Sequence, residues 1–266
     1  MATKYNSIDD VDFSVAIGGA PAGAGDTINI NKFATRFTAG LDISANKAAL
    51  ITIHPQSKCE FMSPLVCQTA ALVYNGSGNK FPVRSSSAAG VIDSMVISPA
   101  RENVAVEIST CKLTNGLYVL GGIVTVRDDV DTADDVEIAR GSLEIVYSAT
   151  YLIDGVFRAM GGVTRLSRKA VAAQIGGSAT VILEESRAVQ GNFEQTGGNI
   201  VVADSGTIDQ YIGRAGVIDF TRLSRPITIT DWQEYPGLTV KVRKNGPTIT
   251  KTSSAAPYGS ANYEYV

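Results

Sequence analysis

The chain has 266 residues, of which 44% are hydrophobic and 18% charged, and its formal net charge at pH 7 is −3. This length and apolar content suit one large all-β domain with a continuous core. The isoelectric point near 5.3 argues against nucleic-acid binding, which needs a basic face. Because the sequence contains no apolar run of about 18 residues, we expect no transmembrane helix and no membrane partner.

The N-terminal segment has little apolar character. Residues 1–12 are polar and acidic and lack the apolar core of a signal peptide. We therefore expect residues 1–17 to form an irregular N-terminal arm on a protein made in a reducing cytoplasm. The loop at 18–25, rich in Gly, Ala and Pro, is similar to a phosphate-binding loop only in composition, because Asp26 stands where such a loop carries lysine. We predict a turn there.

Residues that commonly build metal or catalytic sites are sparse. The three cysteines, Cys59, Cys67 and Cys111, lack the spacing of a disulfide framework or a zinc site, and we interpret them as small buried hydrophobes. His54 is the single histidine, and no Gly-x-Ser-x-Gly motif accompanies it. We predict no catalytic residue and no cofactor.

Alternating apolar residues predict short strands in the first half of the chain. Such patterns occur at 26–30, 50–53 and 104–108, and an apolar run at 65–74 ends in the turn residues 75–79. Successive side chains of a strand point to opposite sides, so each segment can bury one side and expose the other.

Six glycines in the second half each begin the same short pattern. They lie 15 to 21 residues apart, at positions 122, 141, 162, 177, 198 and 216. The second residue after each glycine is apolar except for Thr164, and the fourth is always apolar. The fourth residues, which we predict to stack in one interior column, are Val126, Ile145, Leu166, Val181, Val202 and Phe220. A period of about 20 residues with short strands indicates a solenoid, whose units bury their apolar sides by stacking.

A second series of strands is predicted between those that the glycines begin, at 133–139, 151–159, 187–195 and 208–213. Several strands per turn, joined by short bends, are typical of a parallel β-helix, with neighbouring coils about 4.8 Å apart. We therefore predict an all-β fold, a right-handed parallel β-helix solenoid over residues 18–250.

Five aspartates cluster in one predicted turn, at positions 128, 129, 131, 134 and 135. Paired carboxylates can hydrolyse glycosides, and clustered carboxylates can bind calcium. A glycosidase usually draws its carboxylates from adjacent coils, whereas repulsion within one turn favours a solvated loop. We predict a plain acidic loop for Asp128–Asp135 and assign no metal ligand, and we leave calcium binding there open.

The apolar period ends near residue 250. Closing strands are predicted at 226–230 and 237–242, with Trp232 and Tyr235 between them, where large aromatic side chains could cover the open end of a solenoid. Residues 251–266 combine Ser, Ala and Gly with three tyrosines. We expect these residues to form an irregular C-terminal tail that extends outward and docks on a partner. The candidate partner-binding residues are Tyr258, Tyr263 and Tyr265.

Several short motifs, taken in this order, resemble those of bacteriophage head-decoration proteins built as β-helices. They cover roughly residues 18–220 and are Gly25-Asp-Thr-Ile-Asn-Ile30, Gly40-Leu-Asp-Ile-Ser44, Leu50-Ile-Thr-Ile-His-Pro55, Pro64-Leu65 and the glycine-punctuated coils. The resemblance implies no enzymatic activity and no cofactor. It implies binding to the major capsid protein at the virion surface as a symmetric homo-oligomer, for which we expect a trimer.

The leading hypothesis is therefore a non-enzymatic virion structural protein that decorates and stabilises a capsid. The alternative is a phage tail or host-recognition β-helix that binds surface glycans, which would need a row of exposed aromatic and carboxylate side chains across coils. An enzyme that cuts polysaccharide would need aligned acids, and we expect a cellular adhesin to carry a signal peptide.

Overall fold

The computed structural model describes residues 4–7, 27–30, 36–37, 41–42, 48–55, 57, 60–61, 64–184, 189–203 and 206–266. Every regular element in these ranges is a β-strand, and none of these residues lies in a helix long and apolar enough to cross a membrane. The chain forms two compact units, Met1–Asp134 and Asp135–Val266. Each unit is built from stacked parallel strands, so the predicted all-β parallel β-helix is confirmed.

The first unit contains fifteen described strands. They are β1 Lys4–Ser7, β2 Thr27–Ile30, β3 Arg36–Phe37, β4 Leu41–Asp42, β5 Ala48–Ile53, β6 Glu60–Phe61, β7 Leu65–Val66, β8 Thr69–Tyr74, β9 Lys80–Arg84, β10 Ile92–Ile97, β11 Ala105–Ser109, β12 Lys112–Leu113, β13 Leu117–Val119, β14 Ile123–Val126 and β15 Asp131–Thr132.

Each strand of this unit pairs in parallel with a strand one coil away in the sequence. One stack runs β1, β2, β5, β8, β10 and β13, and another runs β4, β7, β9, β11 and β14. Aligned residues of the first stack, such as Ile30, Ile53, Tyr74, Ile97 and Val119, are fully buried. The core is therefore a set of interior columns that run from coil to coil.

The second unit contains twelve described strands. They are β16 Val136–Ile138, β17 Ser142–Ile145, β18 Ile153–Ala159, β19 Val163–Leu166, β20 Ala170–Ile175, β21 Thr180–Leu183, β22 Val189–Gln195, β23 Asn199–Val202, β24 Gly206–Asp219, β25 Ile227–Val242, β26 Ile249–Ala255 and β27 Asn262–Tyr265.

Two parallel stacks organise this unit. The glycine-led stack runs β17, β19, β21, β23, β24, β25 and β27. The second stack runs β16, β18, β20, β22, β24, β25 and β26. Strands β24 and β25 are long because each continues from one stack into the other. The intervening strands predicted from the sequence are confirmed by β16, β18, β22 and β24.

The six repeat glycines share a backbone conformation that explains their recurrence. All have a positive φ, between 54° and 97°. At Gly122, where φ is 80°, an added Cβ would lie 2.9 Å from Cγ of Pro99 and 3.1 Å from the carbonyl oxygen of Val104. Glycine enters this left-handed region without steric cost, so it marks the bend before β14, β17, β19, β21 and β23 and, at Gly216, the bend within β24.

In the second unit, the predicted interior column is confirmed for Ile145, Leu166 and Val202 and is wrong at Val181. All six of its residues are buried, but Val181 pairs with Thr164 and Ile200, the residues second after their glycines. Leu183 instead aligns with Leu166 and Val202. The coil that follows Gly177 is therefore shifted by two residues. A two-residue shift keeps every side chain on the same side of the sheet, so the alternation pattern could not detect it.

The ends of the chain differ from the sequence prediction. Residues 251–266 are not an irregular tail, because β26 and β27 both pair in parallel with β25 and form the last coil. At the N-terminus, Lys4–Ser7 forms β1 and pairs with β2, so this part of the predicted arm belongs to the sheet. The remainder of residues 1–17, the loop at 18–25 and Cys59 lie outside the described residues.

Candidate functional site at the C-terminal turn

An aromatic column fills the interior of the second unit and ends beneath the last coil. Phe193, Tyr211 and Trp232 occupy aligned inward positions of β22, β24 and β25 and are fully buried. The rings of Tyr211 and Trp232 are stacked with centroids 4.6 Å apart. On Trp232, Nζ of Lys251 lies 3.9 Å from the ring centroid, so an ammonium group terminates the column through a cation–π contact.

Lys251 can reach the ring because the final coil carries a lysine at an interior register position. It pairs with Ile229, which is fully buried in the preceding coil. This position lies on β26, the final described strand of its stack, where the ammonium keeps partial contact with solvent. The side-chain exposure of Lys251 is 23%.

The carboxylate of Glu234 organises the polar side of this end. Its Oε2 accepts hydrogen bonds from Nε1 of Trp232 at 2.7 Å and from the hydroxyl of Tyr263 at 2.6 Å. Its Oε1 accepts a bond from the backbone N–H of Ala261 at 3.3 Å. Nζ of Lys251 lies 3.7 Å from Oε2 and donates to the hydroxyl of Tyr263 at 2.5 Å. We call Trp232, Glu234, Lys251 and Tyr263 the end cluster.

The electrostatics of the end cluster favour a charged carboxylate. Burial would raise the pKa of Glu234, but the hydrogen bonds from Tyr263 and Trp232 and the charge of Lys251 outweigh it and lower that pKa. Burial lowers the pKa of Lys251, against the opposing effect of Glu234. Burial and the bond to Glu234 raise the pKa of Tyr263, which therefore stays a hydrogen-bond donor.

A buried glutamine connects neighbouring coils behind this cluster. Oε1 of Gln195 accepts a 2.5 Å hydrogen bond from the hydroxyl of Tyr211. Its Nε2 donates to the carbonyl oxygens of Gly198 and Val217, at 3.1 and 3.0 Å. Buried polar groups are costly unless they are hydrogen-bonded. These contacts therefore allow the hydroxyl of Tyr211 to be buried within the aromatic column.

The three tyrosines predicted to bind a partner have two different environments. Tyr258 and Tyr265 are 77% and 66% exposed. Tyr263 pairs with Val240 at an inward position, and its hydroxyl is engaged inside the end cluster. Only Tyr258 and Tyr265 therefore present broad surfaces to a partner, and Tyr263 holds the turn that carries them.

Tyr258 is part of a small exposed aromatic surface. Its ring centroid lies 5.5 Å from that of Tyr235, and the guanidinium carbon of Arg214 lies 4.9 Å from the Tyr235 centroid. The Nε of Arg214 also donates to Glu194 at 2.7 Å. We call Arg214, Tyr235 and Tyr258 the aromatic platform.

Sequence reasoning did not identify Glu234, Lys251 or Arg214. The sequence did carry one signal of the inward lysine. Ile227 and Ile229 align with Ile249 and Lys251 in the next coil, with the same two-residue spacing. An inward lysine is recognisable only when this alignment is known. The role of Glu234 depends on residues 17 and 29 positions later, which the alternation pattern cannot bring together.

The acidic turn uses several of its carboxylates in contacts within the chain. In the first unit, Oδ2 of Asp129 accepts a 2.6 Å hydrogen bond from Thr110, and Asp131 lies 3.1 Å from Nζ of Lys112. In the second unit, Asp135 binds Arg158 and accepts a 2.7 Å bond from the backbone N–H of Val156. Burial would raise the pKa of Asp135, but these contacts lower it.

Other candidate residues have structural environments. Nε2 of His54 lies 3.1 Å from Oδ1 of Asn29. Cys67 and Cys111 are fully buried, as predicted, and burial together with Asp129 and Asp131 raises the pKa of Cys111 to about 12. Within the described ranges, no three His, Cys, Asp or Glu side chains are grouped in a way that could hold a metal ion.

Comparison of the chain with protein-family models, with curated proteins and with solved structures finds no match.

Proposed function

We propose that this protein is a non-enzymatic structural component of a bacteriophage particle, which binds the capsid shell as a decoration or cement protein. The motif order from Gly25 to the glycine-led coils supports the phage context. The observation that carries the proposal is the division of roles in the last coil. Tyr258 and Tyr265 are exposed, while Tyr263 is bonded to Glu234 beneath them.

This arrangement suits attachment to a protein surface. Tyrosine buries a large apolar ring and keeps a hydroxyl for hydrogen bonding, which is why it is common in interface hot spots. A turn that is already held by the end cluster loses little conformational entropy on binding. Two tyrosines on a rigid solenoid can therefore act as preorganised anchors.

The mechanism is mechanical. A stiff solenoid anchored to the major capsid protein would oppose separation of shell subunits when packaged DNA presses outward. Many copies at symmetric positions, as a homo-oligomer, would add modest contacts into high avidity. No chemical step is required, and the site of action is the virion surface.

The proposal is tested on particles of the phage that encodes the chain. Electron cryomicroscopy should show the protein on the outer face of the head, and purified protein should rebind to particles that lack it. The double variant Tyr258→Ser/Tyr265→Ser should bind at least about tenfold more weakly, because each anchor typically contributes more than about 1 kcal/mol.

Val171→Ser is the matched control, because Val171 is 49% exposed and lies on β20 rather than on the last coil. It should bind like the unaltered protein. If the protein is absent from purified particles, the proposal is wrong. If the double variant fills the sites as well as the unaltered protein does, the tyrosines are not the anchors.

A second candidate function is supported by the aromatic platform. The tilted pair of Tyr235 and Tyr258, with Arg214 over one ring, offers an apolar surface beside a cation, a combination that can hold an acidic sugar. This favours the phage tail or host-recognition protein that binds surface glycans. Location of the chain on the tail, together with host-polysaccharide binding lost in Tyr258→Ser, would support that function instead.

A further inference from the structure

One side of the second unit is a parallel sheet face with two outward columns of side chains. The face belongs to the glycine-led stack, in which seven consecutive strands pair in parallel. The inner column of this stack is buried, as at Leu143, Val181 and Ile200, whereas the outward residues keep partial or full exposure. We call these two outward columns the docking face.

The two columns of the docking face follow from the strand register. In coil order, the first column is Ser142, Val163, Thr180, Asn199, Val217, Thr239 and Asn262. The second column is Glu144, Arg165, Ile182, Val201, Asp219, Lys241 and Glu264. The second column thus has two aliphatic residues at its centre and charged residues of alternating sign on both sides.

The side chains of the second column, read in coil order, are complementary to the same column read in the opposite order. If the column is turned end to end about the point between Ile182 and Val201, Ile182 meets Val201. In the next pair of positions Arg165 meets Asp219, and in the pair beyond it Glu144 meets Lys241. Every pair on the six strands from β17 to β25 therefore joins two apolar groups or two opposite charges, and Glu264 on the seventh strand lies beyond the paired positions.

The first column obeys the same reversal. Thr180 meets Asn199, two polar side chains that can exchange a hydrogen bond, and Val163 meets Val217. In the outermost pair Ser142 meets Thr239. Both columns therefore share one centre of complementarity. A match in one column could arise by accident, whereas the second column supports it independently.

We infer that the docking face binds the same face of a second copy of this chain, through a two-fold axis that runs parallel to the strands and passes between β21 and β23. Such an axis keeps each column opposite itself and reverses the order of coils, which is the arrangement that produces these pairs. A self-complementary surface of this kind is the requirement for an isologous dimer. A two-fold axis parallel to the coil stack would keep the coil order and remove this pairing.

The charged residues remain available to a partner. Arg165 binds Glu184 within the chain, but its side chain is 53% exposed, and a guanidinium has five donors. Lys241 lies 3.5 Å from Glu264 with 37% exposure. Oδ1 of Asp219 accepts the backbone N–H of Thr221 at 2.7 Å, and its second carboxylate oxygen can accept a further bond.

The size of the face sets the strength of the association. Six strands about 4.8 Å apart span roughly 24 Å between the outer two, with two outward residues on each strand. Twelve outward residues a side are fewer than the roughly 20–30 of a standard specific interface. We therefore expect a reversible dimer that depends on concentration and weakens as salt screens the charged pairs.

The test is sedimentation equilibrium of the full chain over a wide concentration range at low salt. Because the monomer mass is 28.0 kDa, twice this value, about 56 kDa, is the expected limiting mass. Glu144→Lys places two lysine–lysine contacts in the symmetric dimer, and Lys241→Glu places two glutamate–glutamate contacts. Each single variant should raise the dimer dissociation constant at least about tenfold, and the double variant Glu144→Lys/Lys241→Glu should restore it.

Glu102→Lys is the matched control, since Glu102 is an exposed acid in the first unit and makes the same change of net charge. It should leave the dissociation constant unchanged. A chain that stays monomeric at all concentrations, or that reaches only a trimer mass, would overturn the inference. So would a dimer that both single variants leave intact. The measurement uses the isolated chain, so its outcome does not depend on the proposed binding to a shell.

Discussion

Lys251 and Trp232 form a cation–π contact between neighbouring coils: the ammonium nitrogen lies 3.9 Å from the centroid of the indole ring. The ring is fully buried, and Lys251 occupies the inward position of the last coil next to it. A parallel solenoid must cover the apolar end of its core, and terminal repeats with a polar outer side do so in repeat proteins. On β26, the final described strand of its stack, Lys251 suits such a position because it contacts the aromatic face on one side and water on the other.

These contacts determine the expected effect of truncation. Removing residues 251–266 would delete both Lys251 and Tyr263 from the end cluster. It would expose Trp232 and leave the carboxylate of Glu234 without three of its partners, Lys251, Tyr263 and the backbone N–H of Ala261. The last coil therefore contributes to the fold of the second unit as well as carrying the exposed tyrosines.

The hydroxyl of Tyr263 should contribute measurably to stability. In Tyr263→Phe, Glu234 loses a 2.6 Å donor and Lys251 loses an acceptor. We expect the free energy of unfolding to fall by about 1–3 kcal/mol, the usual cost of removing one hydrogen-bond partner from a partly buried polar or charged group. Urea denaturation monitored by tryptophan fluorescence measures this change at Trp232. Tyr265→Phe, at a 66% exposed residue, should be nearly neutral, and equal losses in both variants would contradict the assignment.

The charge of Glu234 should make stability depend on pH in the acid range. The pKa of Glu234 is lowered in the folded state from its ordinary value of 4.5. Its carboxylate therefore stabilises the fold above pH 4.5, and that contribution is lost as the pH falls through the lower folded pKa. Glu234→Gln should be less stable than the unaltered protein at pH 7, and the difference should shrink below about pH 4.5.

Urea midpoints of both proteins, measured between pH 7 and pH 3, provide this comparison. Asp135, whose pKa is also lowered, is present in both proteins, so its contribution cancels in the difference. A gap that stays constant across the range would show that the carboxylate is not the charged partner of Lys251.

Two adjacent glycines should respond oppositely to alanine. Gly122→Ala forces a side chain into φ 80° and places Cβ 2.9 Å from Pro99, so we expect a loss of about 1–3 kcal/mol. In Gly121→Ala the nearest atom is 3.7 Å away, and the change should be neutral or slightly stabilising, because alanine reduces the entropy of the unfolded chain. Thermal unfolding of both variants checks this, and similar melting temperatures would refute the role given to the left-handed bend.

Val181 and Thr180 are neighbours on opposite sides of one sheet. Val181 is fully buried and Thr180 is half-buried on the outer side. Val181→Asp should prevent folding, because it removes about 1.5–3 kcal/mol of apolar burial and places a carboxylate in the core. Thr180→Asp should fold. Circular dichroism of the soluble fractions distinguishes them, and equal damage would argue against the register.

The protein should have no polysaccharide-cleaving activity. We expect no release of reducing sugar from bacterial polysaccharide, with or without added calcium, because Asp131 is engaged by Lys112 and Asp129 by Thr110. A reducing-sugar assay over several hours measures this. Reproducible turnover that disappears in Asp128→Asn or Asp131→Asn would overturn the non-enzymatic proposal.

The coil architecture of this protein is readable from its sequence because it depends on local chemistry. Glycine tolerates the positive φ of each bend, and alternation assigns every strand residue to the core or the surface. The six glycines, the buried residues that follow them and the intervening strands were therefore predictable one coil at a time. The exposed tyrosines at 258 and 265 were also predictable, because polar surroundings accompany them in the chain.

Only the tertiary structure decided which residue of one coil lies beside which residue of the next. Alternation leaves a two-residue shift undetermined, since such a shift preserves the side of every residue. For this reason the alternation pattern could not show that Val181 lies in the column of Thr164 and Ile200. It also could not show the inward direction of Lys251 or the partners of Glu234. The same is true of the complementary order of Glu144, Arg165, Asp219 and Lys241, because it exists only once hydrogen bonding between strands sets their register.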